Sequence, residues 1–168
     1  MIYHGPFTYQ LLLTDDRGDR FIASRVFQGV EIKTFKHPVT LDKTPKIYVL
    51  MSGEQILYVG YTSQSISNRL RDGLKKAGTF KDYKGYKWKV FDEVILYVFV
   101  FEKQLKGNRV MEDLPFIDLA EAVEAELVYK VRKETGSWPL FQNEIHFNNE
   151  ELDKATKIAD EMFNCCKN

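Results

Sequence analysis

Residues 92–101, D-E-V-I-L-Y-V-F-V-F, carry the strongest strand signal in the chain. An uninterrupted run of β-branched and aromatic residues reads as a strand buried on both faces, and so as the centre of a sheet. A second constraint lies upstream, where the apolar runs K-I-Y-V-L-M (46–51) and Q-I-L-Y-V-G (55–60) flank Ser52-Gly53-Glu54. Two such runs around a Gly-centred gap predict a β-hairpin. Side chains alternate along a strand, so Lys46, Tyr48 and Leu50 share one face and Ile47, Val49 and Met51 the other. In the partner run Ile56, Tyr58 and Gly60 point one way, and Leu57, Val59 and Tyr61 the other. A three-residue loop centred on Gly53 sets Tyr48 directly opposite Tyr58, with Cβ atoms roughly 4.5–5.5 Å apart.

The segments before the hairpin read as strands. Phe7, Tyr9, Leu11 and Leu13 alternate onto one face, R-F-I-A-S-R-V-F (20–27) follows a polar loop, and V-E-I-K-T-F (30–35) is expected to add a third strand that His37-Pro38 ends. Residues 1–43 thus form an N-terminal β extension without recognisable chemistry, in which His4 and His37 sit beside turn residues. After the hairpin, Ile66, Leu70, Leu74 and Ala77 lie on one helical stripe, capped by Ser63 or Ser65 and closed by Gly78. The spacing of Asp118 and Glu121 predicts a capping box opening a helix to about Thr135, with Gly136 just past its end. A last amphipathic helix near 150–163 carries Leu152, Ala155, Ala159 and Met162. The class is α+β: a small central antiparallel sheet in β-β-α-β-α order (44–148), flanked by helices, with the N-terminal hairpin and a C-terminal helix (149–168) packed on it.

At 168 residues, 44% hydrophobic and 14% aromatic, the chain suffices for one packed domain. No 18-residue apolar run is present, Met1-Ile2-Tyr3-His4 is not expected to begin a signal peptide, and the only cysteines are the adjacent Cys165 and Cys166. A protein that is soluble, cytoplasmic and without membrane association is expected. Net charge is zero, but its distribution is uneven. From Arg69 to Lys89 eight basic residues face two acidic ones, a net +6, and residues 144–161 carry a net −4. Arg71, Lys75, Lys76, Lys84 and Lys87 in that basic stretch suit a phosphate backbone; a solvated face is the alternative. The aromatics between them can stack on bases or pack inward.

One carboxylate is out of place. At about 100° per residue, Glu124 falls inside the apolar stripe made by Ala120, Val123, Leu127, Val128 and Val131, while Glu126 falls on the opposite side. A carboxylate on a buried stripe must be paired, protonated or bound to metal. A salt bridge to a core Arg or Lys and a functional role both satisfy that.

Taken together, these residues resemble the GIY-YIG nuclease family. K-I-Y (46–48) stands for its first element and Y-V-G (58–60) for its second. Arg69 stands for the helical Arg, Glu124 for the Glu of the following helix, and Asn143 in P-L-F-Q-N for the downstream Asn. The resemblance covers about 46–147. It departs from the family pattern at Lys46, where the family has Gly, and at Gly73, where many members carry a His. The interval from Glu124 to Asn143 is also longer, with R-K-E-T-G-S-W as the apparent insertion.

The resemblance implies hydrolysis of DNA phosphodiester bonds with one divalent metal and no organic cofactor. Glu124 then binds Mg²⁺ or Mn²⁺, Arg69 holds the non-bridging phosphate oxygens, Tyr48 accepts the proton of the attacking water, Tyr58 orients water or phosphate, and Asn143 fixes local geometry. A free phenol loses its proton only near pH 10, so Lys46, on the same face as Tyr48, is expected to ease that loss in place of the missing His; a solvated strand end is the alternative, and His146 a rival base. Against the endonuclease stands a catalytically inactive nucleic-acid-binding or interaction module that kept the fold.

Overall fold

The computed structural model describes residues 2–16, 19–75, 79–80, 83–84, 87–107, 110–142 and 152–167. The strands are β1 (Tyr3–Asp16), β2 (Asp19–Phe27), β3 (Val30–Glu31), β4 (Lys46–Ser52), β5 (Gln55–Thr62), β6 (Thr79–Phe80), β7 (Tyr83–Lys84) and β8 (Glu93–Phe101). The helices are α1 (Ile66–Leu74), α2 (Leu114–Thr135) and α3 (Leu152–Lys167). Six strands make one antiparallel sheet in the order β3-β2-β1-β8-β4-β5, and β6 pairs with β7 apart from it.

The apolar run at 93–101 is central, as its composition predicts. β8 lies between β1 and β4, and its side chains enter two separate cores. Phe99 and Phe101 pack with Ile47 and Val49 under α2 and α3. Val94, Leu96, Val98 and Val100 pack on the other face with Tyr9, Leu11, Leu50 and the α1 stripe Ile66, Leu70 and Leu74. The molecule is therefore a sheet between two layers, α2 and α3 on one side and α1 on the other. Residues 1–43 do not stand apart from this sheet, because β1 pairs with β8 along Tyr3–Leu12.

Three expectations need correction. The third strand is two residues long, not six, because the chain leaves the sheet after Ile32 so that Phe35 and Val39 can bury beside Tyr9. Helix α2 begins at Leu114, a turn before Asp118, with Pro115 in its first turn, where a missing N–H costs nothing. Asp113 precedes it, but its side chain does not cap the helix. It accepts from the backbone amides of Lys106 and Gly107 at 2.7 and 3.3 Å. Third, α1 ends at Leu74 with Lys75 extended, before the Ala77 and Gly78 of the expected stripe and stop. On α2, the Thr156 hydroxyl of α3 donates to Glu126 Oε2 at 3.2 Å. The helix end follows the sequence: Gly136 takes the left-handed conformation, φ 76°, and its N–H donates to Arg132 O. No helix among the described residues is long and apolar enough to cross a membrane.

Candidate active site

The hairpin β4–β5 closes on a two-residue turn, Gly53-Glu54, with Ser52 opposite Gln55 and Met51 opposite Ile56. The register then shifts, so that Leu50 faces Tyr58 and Tyr48 faces Gly60. Tyr48 is therefore not directly opposite Tyr58. Leu57 is the extra residue of a bulge, which reassigns faces as well: Leu57 and Tyr58 both join the α1 side, and Ile56 and Val59 the α2 side. The two phenols still meet diagonally, with ring centroids 5.9 Å apart, and are hydrogen-bonded to each other.

Gly60 makes this arrangement possible. A Cβ there would lie 2.6 Å from Cζ and Oη of Tyr48 and from Cε1 of Tyr58. Only a residue without a side chain lets a wholly buried Tyr48 lie across β5.

Arg69 reaches the phenols from α1. Ser65 caps that helix by accepting from the Asn68 amide, and the stripe Ile66, Leu70 and Leu74 seats it on the sheet. Arg69 Nε then donates to Tyr48 Oη at 3.2 Å. Glu124 approaches from α2, on the opposite layer. The two layers meet around β5 because β5 is the last strand of the sheet. Part of its outer edge is closed by residues 140–142: Leu140 N donates to Ile56 O, Phe141 N to Leu57 O, and Val59 N to Gln142 Oε1. The carboxylate of Glu124 accepts from the next outward amide, that of Tyr61.

Electrostatics bind these groups into one site. Burial, with Glu121 one turn earlier adding to it, lifts the Glu124 carboxyl to about 7 against the opposing pull of the Tyr61 amide and Arg69. Burial also pushes the Tyr58 phenol up, with Tyr48 and Glu124 adding to it and Arg69 opposing. Tyr61 is raised by burial, Glu121 and Glu124. Tyr61 and Glu121 therefore belong to the neighbourhood, although sequence reasoning passed over them. Their signals were Tyr61 directly after Y-V-G and the i, i+3 spacing of Glu121 and Glu124.

Lys46 is elsewhere engaged. It is wholly buried, not a solvated strand end, and Nζ donates to Thr44 O at 2.6 Å, Leu41 O at 2.7 Å and Gln64 O at 3.0 Å. Its three hydrogens go to three carbonyls, and none is left for Tyr48. Arg71, Lys75 and Lys87 are exposed, with Arg71 Nε 3.5 Å from Asp72. Trp88, between the basic residues, is wholly buried and serves the core. Lys76, Asn143 and His146, and the side chain of Lys84, lie outside the described residues.

Among the described residues no group of three or more His, Cys, Asp or Glu is gathered for a metal. The donors present, the Glu124 carboxylate with Glu121 nearby, fit a hard cation that keeps most of its water, and do not fit a soft or fully caged one. Comparison with family models, curated proteins and solved structures finds no match to this chain.

Proposed function

We propose that this protein is a metal-dependent DNA endonuclease that hydrolyses phosphodiester bonds at the β5 edge. One observation carries the reading: Tyr48, Tyr58, Arg69 and Glu124, from four different elements, converge there with a cation on one side and a partly buried carboxylate on the other. Hydrolysis requires a proton acceptor for water, positive charge at the phosphate oxygens and a route for the departing oxygen.

Arg69 supplies fixed positive charge at the non-bridging oxygens. Tyr48 Oη accepts from Arg69 Nε and, as a phenolate whose own proton has first been released to bulk water, takes the proton of the attacking water. Tyr58 stays protonated, because its surroundings raise its phenol, and so donates a hydrogen bond that orients Tyr48 or the phosphate. Glu124 would hold Mg²⁺ or Mn²⁺, with Asn143 assisting local geometry, and a bound cation would supply charge neutralisation for the hydrolysis. Arg71, Lys75, Lys76, Lys84 and Lys87 bind the DNA backbone, and the reaction belongs to the cytoplasm, where Cys165 and Cys166 stay reduced.

A second reading has one observation in its favour. By accepting from the Tyr61 amide, Glu124 closes a strand edge, a task a non-catalytic DNA-binding module also needs. Supercoiled plasmid and branched DNA, incubated with Mg²⁺ or Mn²⁺ and wild type, Arg69→Ala or Glu124→Ala, separate the two. The endonuclease cuts, and both variants fall by roughly a hundredfold or more. Equal cutting by all three would trace the activity to a contaminant and defeat the proposal, and binding without cutting would select the module.

A further inference from the structure

The ammonium of Lys46 sits where two stretches of backbone converge. Thr44 and Leu41 belong to the segment entering β4, and Gln64 to the two-residue link between β5 and the cap of α1. Other bonds tie the same two stretches together: Ser65 N donates to Asp42 Oδ1 at 2.7 Å, Ile66 N to Val39 O at 3.0 Å, and Thr44 N to Ser63 O at 3.1 Å. The first amides of a helix have no partners within it. Here those of Ser65 and Ile66 are met by the 39–44 segment, and Lys46 fastens that segment from beneath.

We propose that Lys46 is a positioning residue whose ammonium locks the start of α1 to β4 and so sets the Arg69 guanidinium against the Tyr48 phenol. Both ends of the Arg69–Tyr48 contact are within a few residues of the clasp. Tyr48 lies two residues along β4 from Lys46, and Arg69 N donates to Ser65 O at 3.1 Å, one turn into the helix. Thr44 and Gln64 carbonyls would repel each other without a donor between them. Removing the ammonium leaves the buried Thr44 carbonyl unpaired and takes their shared donor from the half-buried Leu41 and Gln64 carbonyls, and the helix start is the element free to move. Asp42 is the charged group acting on Lys46, and it favours the ammonium, as the three carbonyls do. Burial opposes them and brings the group to about 8, so the clasp is closed at pH 7.

For catalysis this inference rests on the endonuclease reading; for structure it does not, and the test has an arm for each. Lys46→Met keeps the length and apolar stem of the side chain and removes its donors. In the plasmid assay kcat should drop at least tenfold while KM stays within about twofold, the pattern of a lost transition-state contact. Hydrogen exchange at the Ser65, Ile66 and Arg69 amides should speed up at least tenfold relative to amides of β8. Wild-type kcat together with wild-type exchange at those three amides would overturn the inference. If Lys46→Met does not fold, nitrogen NMR of the wild type decides: neutralising the Lys46 ammonium at alkaline pH must shift the Ser65, Ile66 and Arg69 amides together. A Lys46 titration that leaves them unmoved also overturns it. A wild type that cuts nothing removes the endonuclease reading alone, since exchange and NMR still judge the clasp.

Discussion

Replacing Glu124 by Gln in metal-free protein isolates what it costs to keep an acid between α2 and β5. Burial, reinforced by Glu121, lifts this carboxyl from 4.5 to about 7. A carboxyl raised by folding stays protonated in the native state at pH values where the unfolded chain has already ionised. Its effect on stability is nil below about pH 4.5 and grows unfavourable as pH climbs to about 7, then levels off. The span from 4.5 to about 7, at about 1.36 kcal/mol per pH unit, comes to about 3 kcal/mol. Gln keeps an oxygen for the Tyr61 amide and never ionises. The stability difference between variant and wild type should therefore swing by about 3 kcal/mol in the variant's favour between pH 4.5 and pH 8. That is roughly 6–12 °C in Tm for a chain of this size. Urea titrations in EDTA at half-unit pH steps measure the swing. Curves that run parallel for the two proteins would refute the burial argument. A swing accompanied by lost DNA cleavage would mark Glu124 as a residue that chemistry retains against stability.

Gly60→Ala forces a methyl group to within 2.6 Å of both tyrosines, and Tyr48 has no room to yield. Overpacking of this kind should cost about 1–3 kcal/mol and disturb the near-ultraviolet tyrosine signal; an unchanged melting curve would contradict the close approach. Arg69→Lys keeps a positive charge but loses the planar fork, so DNA cleavage should fall roughly a hundredfold with the circular dichroism spectrum unchanged. Burial alone would raise the Asp113 carboxyl, but the Lys106 and Gly107 amides and the Lys103 ammonium hold it below its ordinary value. Its stabilisation is therefore present above the unfolded pKa and lost as pH falls through the folded one. Asp113→Ala should flatten the acid limb of the stability curve below about pH 4 and speed exchange of the Lys106 amide, both measurable in one titration series.

What the sequence made legible is what periodicity encodes. The two-faced run at 93–101, the first three members of the α1 stripe (Ile66, Leu70 and Leu74) and the position of Glu124 among apolar neighbours all follow from local spacing, and the structure holds each of them. Register did not follow, because one extra residue, Leu57, sits in β5, and a bulge leaves no mark in composition. The same limit hid the start of α2. Asp118 and Glu121 match a capping pattern, yet Pro115 already satisfies the helix entry, and Asp113 spends its oxygen on the amides of Lys106 and Gly107 rather than on the cap. Lys46 was hardest of all. A lysine at a strand end reads as solvated unless the carbonyls of residues 41, 44 and 64 are known to converge on it, and that convergence is tertiary. Tyr61 and Glu121 were missed for the same reason: only the folded chain brings them beside Glu124.

The pairing of β1 with β8 bears on how the chain is made. The first hairpin leaves the ribosome with Tyr9, Leu11 and Leu13 exposed, and its partner strand is not complete until residue 101. Roughly 4–15 seconds separate the two at about 5–20 residues per second. Through that interval the nascent chain carries an unpaired, apolar strand edge, and such edges recruit other chains. Folding then hinges on one long-range closure between the start of the chain and its middle, which sets a high contact order and a slow step. A chain begun at residue 44 would shorten that wait but leave β8 with an open edge of its own, the edge that β1 covers in the finished sheet.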